Sequence, residues 1–281
     1  MYEYESILAD QAGGGSGVAL ITLNCPERMN VLTARMDWEL RHAIATFDAM
    51  DEVRAIVVTG SGRAFCAGAD VSSGALGGGG VTEDPDPTND YGYGAMNTPV
   101  IAAMNGSAAG GGLTIPLVWD FRVMADEAKY TFVFNRRGLL PELGSTWMLP
   151  RLVGFARAAD LLITGRIFTG QEAAAIGLAN ASVPAAEVLE RSLQIARDIA
   201  DNTAPVSVAL TKQLLLRHLT NTDRITAEAI ELELLGWANK QADAGEGIQA
   251  FFEKRPAVWK MGKNSEFPTE LYESLTQGGH Q

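Results

Sequence analysis

The chain has 281 residues, 47% of them hydrophobic, and a formal net charge of −12. That apolar share is enough to bury a large core as one domain or one domain with an appendage, which excludes a disordered tail protein. The acidic balance argues against a general nucleic-acid binder, because neutralising phosphates takes a basic surface.

Residues 18–23 (VALITL) read as a strand, followed by a loop over residues 24–30 that carries Pro26 and Arg28. A helix comes next. Thr33 suits its N-cap, Asp37 sits in the first turn where the macrodipole favours negative charge, and Met36, Leu40, Ile44 and Phe47 recur at helical spacing. Residues 55–59 are a short apolar run ended by Gly60-Ser61-Gly62, the pattern of a buried parallel strand. Residues 74–94, rich in Gly, Pro and Asp, show no periodicity and are expected to form a loop over the site.

Residues 100–105 repeat the strand pattern, and Gly106, Gly110, Gly111 and Gly112 lead into a helix expected to run to Trp119. Further strands are expected at 122–125 and 178–183, giving an α/β fold with repeated crossovers. After Pro184 the texture is helical, with helices expected at 187–201, 206–219, 222–239 and 247–253. Ile225, Ala229, Leu232 and Leu235 form an apolar stripe suited to packing against the core or another subunit.

No run of eighteen or more apolar residues occurs, and residues 1–10 are acidic and polar, unlike a signal peptide. A cytosolic protein without membrane association is expected. Cys25 and Cys66 lie outside any metal-binding or CxxC spacing and are expected to be reduced. His42, His218 and His280 have no Ser/Asp arrangement that would make a hydrolase triad.

Two glycine turns carry the chemistry. FCAGAD (65–70) and NGSAAGGG (105–112) each follow an apolar strand and can present free backbone N–H groups. Two such donors converging on one oxygen form an oxyanion hole. Close helix–strand packing explains a glycine run equally well, and both readings stay open at this point. The second turn lacks the GxGxxG spacing of a dinucleotide site, so redox chemistry ranks low.

At these residues the sequence resembles the crotonase (enoyl-CoA hydratase/isomerase) family, over about residues 18–260. The segments that carry the resemblance are CPERMNVL, SGRAFCAGAD, TPVIAAMNGSAAGGG, LITGRIFTGQEAAAIGLAN and EGIQAFFEKR. It implies a spiral of ββα units over residues 1–200 and a helical trimerisation region over 201–281, in a homotrimer or a hexamer built from two trimers. It also implies an acyl-CoA substrate and no permanently bound cofactor. The oxyanion donors would be the N–H groups of Ala69 and Gly111, and coenzyme A contacts would fall on Arg28, Ala67, Asp70, Phe251 and Lys254.

The chain departs from the family's hydratases in one respect. The two positions at which those enzymes carry water-adding glutamates hold Thr114 and Phe134, which exchange no protons at neutral pH. A carboxylate appears instead at Glu142, a position that several isomerases of the family use as their sole acid/base group. Flanked by Leu139, Leu140 and Leu143, it is expected to be partly desolvated, with a raised pKa. A 3-enoyl-CoA to 2-enoyl-CoA isomerase is the expectation. The alternatives are a hydratase working with Glu142 alone and a non-catalytic CoA-ester binding protein.

Overall fold

The computed structural model describes residues 3–11, 17–70, 96–221 and 223–277. The loop expected at 74–94 and His280 fall outside these residues.

The chain begins with strands β1 (Ile7–Gln11) and β2 (Val18–Leu23), then helix α1 (Ala34–Asp48), as the apolar spacing predicts. Thr33 caps α1 as expected, its hydroxyl accepting from the Met36 N–H at 3.1 Å. Strands β3 (Ala55–Gly60), β4 (Ala64–Cys66), β5 (Val100–Met104) and β6 (Ser107–Ala109) follow. The helix after the second glycine turn is shorter than expected. Helix α2 covers Gly111–Thr114, and Ile115–Val118 tightens into a 3₁₀ turn at Pro116, which supplies no N–H to continue an α-helix.

Strands β7 (Phe121–Ala125) and β8 (Tyr130–Thr131) precede helices α3 (Ser145–Val153), α4 (Phe155–Thr164) and α5 (Gly170–Ala175). Strand β9 is Ala181–Val183, shorter than the 178–183 expected, because Leu178 and Ala179 still bond back to Ala173 at the end of α5. Helices α6 (Val188–Asn202), α7 (Pro205–His218), α8 (Arg224–Ala238), α9 (Ala242–Glu253) and α10 (Thr269–Gln277) complete the described chain.

Six strands form one sheet in the order β1-β2-β3-β5-β7-β9, parallel except for the β1-β2 pair. The short strands β4, β6 and β8 form a second, parallel sheet. Strand periodicity feeds two cores at once. Ile56 and Val58 point into the main core with Val100, Ala102 and Met104, whereas Val57 joins Ile101 and Ala103 beneath the buried side of α6. Both faces of these strands are covered, which is why they read as continuous apolar runs.

The C-terminal helices have a cluster of their own, built on Val206, Leu210, Ile230 and Leu234. A half-buried ion pair ties them to the sheet: the Lys212 ammonium lies 2.8 Å from Asp120 and donates to the Thr98 carbonyl. The same Asp120 oxygen accepts the Val100 N–H, so this acid is structural. The stripe expected on α8 does not pack on the core of the described chain. Ile230 and Leu234 are buried there, while Ile225, Leu232 and Leu235 are exposed. No helix among the described residues is long and apolar enough to cross a membrane. Cys25 and Cys66 are not in disulfides. Burial pushes the Cys66 thiol up to about 12, where it stays protonated.

Candidate active site

The first turn is fastened by Asn30. This residue is fully buried with φ of 52°, and it stitches the 25–30 loop to β4. Its side-chain oxygen accepts the Cys25 N–H at 2.9 Å, and its amide donates to the carbonyls of Ser61, Ala64 and Phe65 at 2.9, 2.9 and 3.2 Å. Beyond it, the Leu32 N–H donates to Gly68 and the Asp70 N–H donates to Leu32, forming a parallel bridge between Leu32 and Ala69. In such a bridge both peptide bonds of Ala69 serve Leu32 through their outer groups, so the Ala69 N–H faces away from Leu32.

The second turn arrives against the first. A β-carbon on Gly68, whose φ is +87°, would stand 3.5 Å from the Gly111 nitrogen. Gly111 opens α2, where first-turn N–H groups lack intrahelical acceptors. Among the described residues, neither the Ala69 nor the Gly111 N–H donates to a main-chain carbonyl of another element. The close-packing reading of the glycine run holds at Gly112, and Gly111 differs from it. Gly112 packs so closely on the Cys66 carbonyl that no side chain fits, while Gly111 leaves room for a carboxylate.

That carboxylate belongs to Glu142. Its Oε1 lies 3.5 Å from where a β-carbon on Gly111 would sit, with Leu32 Cδ1 at 3.2 Å from the same point. Leu143 and Gly144, both in the left-handed region at φ of 51° and 67°, turn the chain sharply after Pro141 into α3. The Ser145 N–H closes that turn on the Glu142 carbonyl at 3.0 Å. A left-handed leucine costs about 1–2 kcal/mol, and here the strained corner aims Glu142 at the glycine turns.

Burial, and secondly the negative charge of Asp37, hold the Glu142 carboxyl above the usual carboxylate range. Taken whole the residue is exposed, so the burial that matters is at its carboxyl end, beside Gly111. The flanking leucines differ in their surroundings. Leu139 packs on the core, but Leu140 and Leu143 are exposed. Thr114 and Phe134, the positions that the resemblance matches to the hydratase acids, are both buried, and neither side chain is a carboxylate.

Of the residues expected to meet coenzyme A, three sit together at the first turn. Arg28 pairs with Asp70 at 2.9 Å, both partly exposed, and the Ala67 N–H donates to Met29. Phe251 and Lys254 lie on and at the end of α9, where Phe251 is 78% exposed and Lys254 closes the helix in a left-handed conformation. No hydrogen bond among the described residues joins α9 to the turn. Trp147 packs partly against the core and carries the Arg151 guanidinium 4.0 Å above its ring. Arg136 donates to the Thr164 carbonyl at the end of α4.

Comparison with known proteins identifies the family. Residues 13–262 match the family model for enoyl-CoA hydratase/isomerase. The chain is 37% identical over 244 residues to enoyl-CoA hydratase ACTT3 of Alternaria alternata, covering 85% of this chain and 81% of that one. It is 34% identical over 247 residues to 1,2-epoxyphenylacetyl-CoA isomerase of Escherichia coli K12, covering 85% and 93%. The crystal structure of an enoyl-CoA hydratase from Bacillus anthracis superposes with a TM-score of 0.81 at 32% identity, covering 91% of this chain and 99% of that one. With two glycine turns meeting beside one carboxylate, and relatives matched over most of their length, the chain belongs to the enoyl-CoA hydratase/isomerase (crotonase) family of enzymes acting on acyl-CoA.

Proposed function

We propose that the enzyme moves a double bond, converting 3-enoyl-CoA to 2-enoyl-CoA with Glu142 as its sole acid/base group. The observation that carries this reading is the Glu142 carboxyl beside Gly111, with Thr114 and Phe134 in place of the two hydratase acids. Ionised Glu142 takes a proton from C2, and the electron pair spreads through a dienolate onto the thioester oxygen. The Ala69 and Gly111 N–H groups hold that oxygen. Protonated Glu142 then returns the proton at C4, so the carboxylate is regenerated and no water is consumed.

Arg28, Ala67 and Asp70, with Phe251 and Lys254, take the coenzyme A part in this reading. No permanently bound cofactor is required. The exposed apolar residues of α8 and α9 support assembly as a homotrimer or hexamer in the cytosol, residues 1–200 forming the catalytic core and 201–281 the assembly region.

The test is to incubate purified protein with a 3-enoyl-CoA and follow conjugated 2-enoyl-CoA. Product formation that is lost in Glu142→Gln supports the reading, and absence of product overturns it. A hydratase working with Glu142 alone is the second reading, favoured by relatives named hydratase. Labelled water oxygen appearing in a 3-hydroxyacyl-CoA would select it. Equal, near-background rates for wild type and Glu142→Gln on a panel of thioesters would instead select a CoA-ester binding protein.

A further inference from the structure

We propose that Asp70 is a positioning residue for substrate binding: it holds the Arg28 guanidinium against the oxyanion turn, where Arg28 receives the phosphates of coenzyme A. The inference rests on the coenzyme A contacts proposed above and gives two residues grouped there different roles.

A carboxylate and a phosphate repel each other, so Asp70 has to act on this ligand through another group. The ion pair supplies it. Arg28 Nη2 donates to Asp70 Oδ2 at 2.9 Å, joining the 25–30 loop to the 65–70 turn through side chains. The same two segments are already joined by backbone: the N–H groups of Ala67, Leu32 and Asp70 donate to Met29, Gly68 and Leu32 at 3.0, 2.8 and 3.0 Å. Met29 and Asn30, at φ of 54° and 52°, turn the chain immediately after Arg28, and the Asn30 amide locks that corner onto Ser61, Ala64 and Phe65.

The main chain of Asp70 is therefore fixed, and its side chain is short. Arg28 is the reverse, a long side chain that is 44% exposed at the end of a 3₁₀ turn. Long side chains lose the most rotamer freedom on being ordered, and exposed ion pairs contribute little to stability. A fixed acid against a long, exposed base serves as an anchor for the base.

The surrounding charges give that anchor a use. With a net charge of −12, the chain needs a local cation to receive an anionic ligand. Near Glu142, Arg136 donates to Thr164 and Arg151 lies over Trp147, whereas Arg28 flanks the oxyanion turn itself. Glu27, the other acid of the loop, accepts from the Cys25 thiol at 2.8 Å. A guanidinium has five N–H donors in a planar fork and can serve a carboxylate and a phosphate together. Asp70 has two opposed effects on a phosphate: its charge repels, and its hold removes the cost of ordering Arg28 from the binding step. Salt screens the repulsion between exposed charges but not the ordering cost, so the hold prevails at physiological ionic strength. Because Asp70 adjoins Ala69, nucleotide and thioester are then placed from one rigid segment.

Isothermal titration calorimetry at about 0.15 M salt tests this with butyryl-CoA and with butyryl-pantetheine, which lacks the phosphates. The proteins are wild type, Asp70→Ala, Asp70→Glu, Arg28→Met and the double variant Arg28→Met/Asp70→Ala. Asp70→Ala should raise Kd for butyryl-CoA by about threefold to tenfold and move Kd for butyryl-pantetheine by less than about twofold. Asp70→Glu should recover most of the loss, and in the Arg28→Met background removing Asp70 should have no further effect. A saturated ester undergoes no double-bond chemistry, so the result is independent of the reaction proposed. An unchanged or lower Kd for butyryl-CoA in Asp70→Ala overturns the inference, as does an equal loss for both ligands, which marks a merely structural role. Arg28→Met binding butyryl-CoA as wild type does would overturn the coenzyme A contact itself, and the inference with it.

Discussion

A β-carbon on Gly68 would stand 2.5 Å from the carbonyl oxygen of Ala109, closer than any real side chain approaches a main-chain oxygen. The two glycine turns are thus in contact through bare backbone, and the spacing of the Ala69 and Gly111 N–H groups, the oxyanion donors of the proposed reaction, would depend on that contact. Gly68→Ala also places a side chain at φ of +87°. The expected outcome is a loss of about a hundredfold to a thousandfold in kcat, the magnitude of one oxyanion donor, with a folded protein by circular dichroism. Steady-state kinetics on 3-enoyl-CoA checks it.

The raised pKa of Glu142 sets the direction of two pH effects. As the base it must be ionised, so kcat/KM should fall on acidification with a midpoint above the ordinary glutamate value of 4.5, and a pH profile locates that midpoint. For stability the sign is reversed. A carboxyl whose folded pKa is raised contributes fully below its unfolded pKa, and that contribution is lost as pH rises through the folded value. At neutral pH the ionised group is a small cost. Glu142→Gln should therefore be inactive yet slightly more stable at pH 7, by well under about 1 kcal/mol, because solvent screens an exposed residue. The gain in Tm should vanish at pH 4.

Asn30 satisfies four backbone groups from a fully buried position. Asn30→Ala should cost about 2–4 kcal/mol, since the Ser61, Ala64 and Phe65 carbonyls and the Cys25 N–H lose their partner together. Urea denaturation measures the loss. Activity should drop with it, because the same side chain positions the oxyanion turn.

The Asp120–Lys212 pair joins the sheet to the C-terminal helices. Lys212→Met should destabilise by about 3 kcal/mol, leaving an uncompensated carboxylate, whereas Asp120→Asn/Lys212→Met should cost less than the sum of its single variants. A double-mutant cycle in urea gives the coupling.

Much of this architecture was legible because local and global signals agree. The apolar runs that became β2, β3 and β5 end in glycine or asparagine, and Thr33 announces α1. Strands β4, β6 and β8 were not legible. At two or three residues each, they are too short for any periodicity, and tertiary pairing alone makes them strands. The glycine turns were legible as a source of free N–H groups, but it was the resemblance, not the spacing, that pointed to Ala69, Gly111 and Glu142. Of the two roles expected for the stripe on α8, packing against the core falls to Ile230 and Leu234 instead, and Ile225, Leu232 and Leu235 face outward. Side-chain spacing defines an apolar face, but α10 and α7 decide which positions face inward, burying Ile230 and Leu234.

The alternation along the parallel strands limits how this molecule can change in length. Inserting one residue in the middle of β3 would send Val57 to the chamber now filled by Val58 and reverse every later position, exchanging two differently shaped interiors at once. Substitutions in these strands can be absorbed singly, but additions and deletions cannot. Descendants of this sequence are therefore free to grow or shrink only in the segments between strands, where no such parity is enforced.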